Sequence, residues 1–487
     1  MNESKLARQE EALHKWRNAG GIGTLDLVMR FGKTRIGLMA IDKMACKNSK
    51  LDAIVVVPSV TVKQEWESQI KEYNDTITLI SPYIRIFTAS QLIDDDIDIK
   101  ADLLIIDEVH KFTSDKRLKI LRGEIVKYKH LMCLTGSMPG GDMRNKIVAY
   151  APVVDKLAEE EAIAKGWISN FIEFNIPLEF PENDKLEYRE YSNIITEVLN
   201  KFKGMHKLFR YKDGTLMFDS DFDLIMACYS GKTTPYGYVA AEYVRVGIVT
   251  KESWNPDLAK DWTDEIIKNA AYKFNKAIAK RNELLINNIV KLEAVLNIYK
   301  SNPVPTICFN ESTAFADIIT DAINNNISRT AICYHSNVET TPLIDPITGD
   351  WIRYNERSVN AGKIKKFGKD SLRKLAIEGM RDGRYTFLST AKAFDEGLTI
   401  SNLQQVITTA GTANPMQYAQ RSARGKTVDI YNPNKVTKIY NLYFDDFYIG
   451  FGDERQKVVS RDKTKLFIRQ GTNRTNIVTI SINELLE

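Results

Sequence analysis

Gly32-Lys33-Thr34 stands between an apolar run, Leu25–Met29, and a helix-patterned stretch, Arg35–Met44. A glycine turn between a buried strand and a helix brings backbone N–H groups and the positive end of the helix to one point, which favours an anion. At such a point Lys33 supplies a point charge for the β- and γ-phosphates of a nucleotide, and the Thr34 hydroxyl is a ligand for Mg²⁺. Gly-Lys-Thr also occurs in ordinary surface turns, and Leu27 and Val28 stand in the region where a phosphate loop carries its first glycine. Taken alone, the triplet leaves both readings open.

Asp107-Glu108-Val109-His110 follows the apolar run Leu103–Ile106. Two carboxylates at a strand end beside a phosphate loop have a use: Asp107 holds the hydration shell of Mg²⁺, and Glu108 polarises the water that attacks the γ-phosphate. The plain alternative is a solvated acidic turn. Much later in the chain, Gln417, Arg421 and Arg424 share a face if Met416–Arg424 is helical, at offsets of four and seven. Two arginines and a glutamine suit a triphosphate and the charge that develops on a transferring phosphoryl group. A basic, solvated helix face reads the same way in isolation.

These residues need a scaffold that presents strand ends. The runs Ala53–Val57, Ile84–Phe87, Leu103–Ile106 and Leu131–Leu134 alternate with amphipathic stretches such as Val60–Tyr73. Continuous apolar strands separated by helices predict a parallel sheet covered on both faces, with ligands at the carboxyl ends of the strands. Lys33, Asp107 and Thr135 all follow such ends. The rhythm stops after Phe171–Leu178, and residues 181–278 read as a helical insertion. It resumes with a helix over Asn282–Tyr299 and strands at Thr306–Phe309, Thr330–Cys333, Tyr385–Leu388, Gln405–Thr408 and Lys438–Phe444. The 487 residues suit two or three domains. A net charge of +4 confines any polyanion-binding surface to a local patch. Five cysteines without a CxxC pair predict reduced thiols. An N-terminus without an apolar signal region and the lack of a membrane-length apolar run predict a cytoplasmic protein.

The ordered set of motifs resembles the superfamily 2 helicases, ATP-driven nucleic-acid translocases with two RecA-like domains. Met29-Arg30-Phe31-Gly32-Lys33-Thr34-Arg35 is similar to motif I, Asp107–His110 to motif II as a DEVH box, and Leu134-Thr135-Gly136-Ser137-Met138-Pro139 to motif III. Phe394–Ile400 resembles motif V and Gln417–Arg424 motif VI. Shorter matches are Pro58 with Gln64-Glu65-Trp66, Phe87-Thr88, and Cys308-Phe309-Asn310. Motif I lacks the small, glycine-containing run of the family, and Gln420 stands where motif VI usually has glycine. The DEVH box and the Phe-Asp-Glu-Gly form of motif V are closest to the phage UvsW-type and Swi/Snf-like group.

The resemblance implies an α/β fold of two RecA-like parallel-sheet domains in tandem with a helical insertion between them. The expected boundaries are 1–180, 181–278 for the insertion, 279–450, and a C-terminal extension, 451–487. It implies ATP and Mg²⁺ as ligands. Gln9, Met29–Arg35, Glu396 and Gly397 would hold the nucleotide, with Thr34 and Asp107 on the metal. Lys33, Asp107, Glu108, Gln417, Arg421 and Arg424 would carry hydrolysis. His110, Thr135, Gly136 and Ser137 would couple it to movement, and Pro58, Ser59, Thr88, Asn310 and Thr390 would contact nucleic acid. DNA is favoured over RNA because DEVH departs from the DEAD form, and the chain is expected to be a monomer in the cytoplasm, the host's if phage-encoded. An RNA helicase and a non-catalytic protein on a decayed motor fold are the alternatives. Residues 351–384 carry ten Lys/Arg against four Asp/Glu, which reads equally as a phosphate-contacting patch or a solvated face. Trp66 reads as a packing residue before a base-stacking one, and Trp351 as either.

Overall fold

The computed structural model describes residues 3–76, 84–94, 99–208, 214–230, 264–335, 341–391, 400–411, 415–429, 431–432, 434–449, 455–470 and 477–486. The first sheet contains β1 (Ile22–Leu27), β2 (Ala53–Val57), β3 (Ile84–Thr88), β4 (Ile99–Asp107), β5 (Val126–Thr135) and β6 (Val153–Leu157). All are parallel, in the order β3-β2-β4-β5-β1-β6. Alternation along β4 explains the unbroken apolar runs. Leu103 and Ile105 pack with the helices Glu3–Asn18, Lys33–Ala45 and Val60–Thr76. Leu104 and Ile106 pack on the opposite face with the helices Ala89–Asp94, Asp115–Leu121 and Gly141–Val148. Both faces are covered, so every strand position is selected for apolarity.

The second sheet begins with β7 (Asn170–Leu178), which the sequence groups with the first domain. β7 instead pairs with β14 (Val436–Phe444) along its whole length. The sheet continues with β8 (Thr306–Asn310), β9 (Ala331–His335), β12 (Phe387–Ala391), β13 (Gln405–Thr408) and β17 (Ile477–Thr479), all parallel, in the order β17-β7-β14-β13-β8-β12-β9. Two antiparallel ribbons decorate it: β10 (Thr341–Pro342) with β11 (Lys366–Phe367), and β15 (Phe447–Ile449) with β16 (Gln456–Val458).

These pairings correct the expected boundaries. The first domain ends before β7, not at 180. The segment beyond 450 is part of the second domain, since β17 is its edge strand. The helical insertion lies within the second domain, after its first strand, rather than between the domains. Its described helices, Glu182–Lys201, Asp221–Ser230 and Asp264–Ile286, enclose a core of their own around Ile195, Phe202, Leu224, Ile225 and Phe274. The helix expected over Asn282–Tyr299 is two helices, broken where Asn288 caps Ile289–Ser301 by accepting from the Val290 N–H at 3.1 Å. Among the described residues, no helix is long and apolar enough to cross a membrane.

Candidate active site

β4, β5 and β1 are neighbours, and their register sets Asp107 beside Leu134, and Thr135 beside Asp26. Three sequence-distant turns therefore meet at one sheet edge. After β1 the chain passes through Arg30 in the left-handed region (φ 66°) and Gly32 (φ 101°), then enters its helix at Lys33. Gln9, buried in the N-terminal helix, donates from Nε2 to the Phe31 carbonyl at 2.8 Å and fixes this loop. Phe31 does not face the cleft: its ring is fully buried, 5.5 Å from that of Trp167. Arg35 also turns away, its guanidinium 5.6 Å from the Tyr73 ring. Gly136 is required by proximity: a Cβ there would lie 2.5 Å from Met29 Cγ and 2.9 Å from Lys33 Nζ. The motif III turn thus lies against the lysine of the first loop.

Asp107 is buried and held at both oxygens. Oδ2 accepts from Trp66 Nε1 at 2.8 Å, and Oδ1 from the Glu108 N–H at 2.9 Å. Burial, then the neighbouring Glu108, push its carboxyl up to about 7. Glu108 sits in the left-handed region (φ 50°), a strained conformation for a non-glycine residue. Its Oε2 lies 3.3 Å from His110 Nδ1. That nitrogen is also 3.1 Å from Thr135 Oγ1, whose proton goes to the Ser137 carbonyl at 3.0 Å. The hydroxyl oxygen must then accept, which assigns the ring proton to Nδ1. Burial lowers His110 to about 4, so the imidazole is neutral near pH 7. His110 thereby joins the acidic pair to Thr135–Ser137.

A cleft of about 260 Å³ opens over these turns. Met29, Arg30, Gly32, Lys33, Thr34, Pro58, Asp107 and Glu108 line its first-domain wall. Gln420, Ala423, Arg424 and Thr427 line it from the second domain. Burial lowers the Arg30 guanidinium from its usual range, opposed by the charges of Glu65 and Glu108. Thr34 and Asp107 offer hard oxygen donors on one wall, and the buried Asp107 carboxyl, pushed up beside Glu108, is a group that a cation would restore to its charged form. The donor set fits Mg²⁺.

Sequence expectations for the other residues need correction. The helix carrying motif VI is Pro415–Ser422, so Arg424 lies in the turn beyond it rather than on the helix face. Arg421 does not line the cleft. It is buried, with Nη1 donating to the Ala410 carbonyl at 3.3 Å and its guanidinium 5.4 Å from the Phe309 ring. Gln417 is likewise not in the lining, where Gln420 stands instead. Asn310 and Thr390, expected on nucleic acid, are fully buried in the sheet. The Asn310 amide donates to Ser389 Oγ at 3.1 Å and accepts from Thr409 Oγ1 at 2.5 Å. Ser59 and Thr88 cap helices: Val62 N–H reaches Ser59 Oγ, and Thr88 and Gln91 exchange two bonds. Glu396 and Gly397 lie outside the described residues.

Trp66 is fully buried, as a packing residue, but its indole also orients Asp107, a role missed from the sequence. Glu65, Gln69 and Lys111 in the cleft were missed too; Val62, Glu65 and Gln69, at offsets of three and seven on one helix, were the available signal. From the basic segment, Lys369, Arg373, Lys374 and Arg381 face the helix Val60–Thr76 across a second interdomain cleft of about 1110 Å³. Arg373 donates there to Thr61 Oγ1 at 3.2 Å. Trp351 is exposed, on the excursion between β10 and β11.

Residues 290–426 match the Helicase conserved C-terminal domain family. The helicase match runs from the helix before β8 to Lys426, and so includes the cleft wall formed by Gln420 and Arg424. Comparison with curated proteins gives no match. Among solved structures, S. cerevisiae Dbp5 bound to RNA and ADP BeF3 superposes with a TM-score of 0.52 at 10% identity, covering 98% of this chain and 91% of that one. The Pyrococcus furiosus Hef helicase domain gives a TM-score of 0.46 at 13% identity, covering 95% and 98%. The fold is that of two RecA-like domains in tandem, with a helical insertion.

Proposed function

We propose that this protein is an ATP-driven superfamily 2 helicase or translocase acting on DNA. The observation that carries the reading is the meeting, in one interdomain cleft, of Lys33, Thr34, Asp107 and Glu108 with Arg424 from the other domain. Lys33 and the loop N–H groups take the β- and γ-phosphates. Thr34 and Asp107 would hold Mg²⁺, which when bound neutralises charge on those phosphates. Glu108 accepts a proton from the attacking water, and Arg30 supplies a positive charge to the same wall of the cleft. Arg424 enters from the second domain and stabilises the charge of the transferring phosphoryl group. Arg421 supports this turn from within its own domain. His110 carries the change at Glu108 to Thr135–Ser137. Closure on ATP and opening after hydrolysis then step the domains along a strand.

The DEVH box and its UvsW-like and Swi/Snf-like flavour favour DNA over RNA, for strand separation, branch migration or duplex tracking in replication, recombination or repair. Lys33→Ala and Glu108→Gln are expected to lower DNA-stimulated ATP turnover by about 10²-fold or more, with far-ultraviolet circular dichroism unchanged. Full turnover in either folded variant overturns the reading. Stimulation by single-stranded DNA, forked DNA and RNA in parallel separates a DNA motor from an RNA motor, and no turnover with any of them leaves a non-catalytic binder.

A further inference from the structure

β9 is the edge strand of the second sheet, at the far end from β7 and β17. Its residues alternate between two cores: Ile332 and Tyr334 belong with the helix Lys369–Asp382, and Ala331 with the helix Thr313–Asn326. Cys333 and His335 fall on the same side as Ala331. The helix on that side presents Asp317 to both. His335, buried, has Nε2 at 3.0 and 3.1 Å from the two Asp317 carboxylate oxygens. The Cys333 thiol lies against Asp317 and Thr320, with Asp321 one turn further along. One donor atom from each of Asp317, Cys333 and His335 lies within 4.8 Å of the other two.

Charge makes this more than a hydrogen-bonded corner. Asp317 and Asp321 are solvent-exposed, and among the described residues neither pairs with a lysine or arginine. Asp317 therefore faces both the thiol and the imidazole, and Asp321 adds a second negative charge near the thiol. Tetrahedral coordination with metal–sulfur and metal–nitrogen bonds of about 2.0–2.3 Å needs donors about 3.3–3.8 Å apart. The His335–Asp317 pair, at 3.0 Å, is slightly closer than that, and all three donors lie within 4.8 Å of one another, so side-chain rotations suffice to close the site. One sulfur, one nitrogen and one oxygen select a borderline cation, zinc, over the all-oxygen preference of Mg²⁺ or Ca²⁺.

We propose that Asp317, Cys333 and His335 bind one zinc ion, with the fourth position, on the exposed Asp317 side, taken by water. The Cys333 proton passes to solvent on binding. The ion ties the edge strand to the helix Thr313–Asn326, away from the ATP cleft, so the proposal does not depend on the helicase reading.

The test is a cobalt titration of the full-length, chelator-treated protein. One equivalent should give visible ligand-field bands and a near-ultraviolet thiolate-to-cobalt band, and zinc should abolish both. Cys333→Ser should remove the near-ultraviolet band. Asp317→Asn, a near-isosteric change at an exposed position, should weaken zinc binding at least about tenfold with far-ultraviolet circular dichroism unchanged. Absence of a thiolate band in the wild type overturns the site. So does its persistence in Cys333→Ser, which would assign it to Cys46, Cys133, Cys228 or Cys308.

Discussion

His110 shows how a single buried ring can be both a mechanical link and a pH-sensitive one. Its folded value, about 4, lies below the ordinary 6.5, because burial penalises the imidazolium. The unfolded chain takes up the proton first as pH falls. The stability held by the neutral ring is therefore complete above about pH 6.5 and is lost progressively down to about pH 4. The loss is on the order of 3 kcal/mol. Urea unfolding at pH 7, 5.5 and 4.5 should show this extra loss in the wild type and a flatter dependence in His110→Gln. Equal pH slopes would remove the ring from the titration. At this scale the sequence was legible where chemistry is tied to a strand end: Lys33, Thr34, Asp107 and Glu108, read from two separate strand ends, line one cleft. It failed where side-chain direction depends on a third element. Arg421 and Arg424 have the same type and nearly the same position. Only the end of the helix at Ser422 turns one toward Phe309 and the other into the cleft. Asn310 was expected on nucleic acid only through the motif IV resemblance, which carries no information on where the side chain points. Here it satisfies neighbouring strands inside the sheet.

Elements were legible by period and misassigned by partner. β7 has the apolar alternation of any strand. Nothing local states that it pairs with β14, more than 250 residues away. The C-terminal segment is the clearer case. Residues 451–487 read as an extension, yet Asp462 and Thr464 close over the loop leading to motif VI. Lys291, almost fully buried, donates to the Thr409 carbonyl at 2.6 Å and to Asp462 Oδ2 at 2.8 Å. Gly411 N–H donates to Thr464 Oγ1 at 2.6 Å. Removing one partner of a buried pair leaves a desolvated charge, while replacing both with apolar groups does not. Asp462→Ala should cost about 3–5 kcal/mol in urea unfolding. The double change Lys291→Met with Asp462→Leu should recover only part of it, because the Phe444 and Thr464 N–H groups that also donate to Asp462 stay unpaired. A double variant as unstable as the single one would show that the lost backbone bonds and packing, not the unpaired ammonium, set the cost.

At the scale of the whole molecule, the two sheets are joined at the turn that delivers Arg424. Lys426, two residues on, is buried, with Nζ 2.6 Å from Glu159 Oε1 of the first domain's last helix and 3.8 Å from the Phe171 ring centroid. Ser169, in the connection to β7, donates from its N–H to the Lys426 carbonyl at 2.9 Å and from Oγ to the Thr427 carbonyl at 2.8 Å. The connection between domains therefore grips the residues that follow Arg424, and hinge position and arginine position are one variable. Arg373 and Thr61 form a separate interdomain bond across the larger cleft. Glu159→Gln keeps the shape and removes the charge, leaving Lys426 beside the Phe171 ring without its carboxylate. The cleft should open more readily. The KM for ATP should rise several-fold while the turnover at saturating ATP falls less, because nucleotide can still draw the walls together once bound. Arg424→Ala, by contrast, should lower turnover far more than it raises KM if the arginine acts as proposed, on the charge that develops on the phosphoryl group. A Glu159→Gln variant that lost turnover as Arg424→Ala does, with KM unchanged, would place Glu159 in the chemistry instead of the hinge. Steady-state ATP kinetics on the two variants distinguish the outcomes.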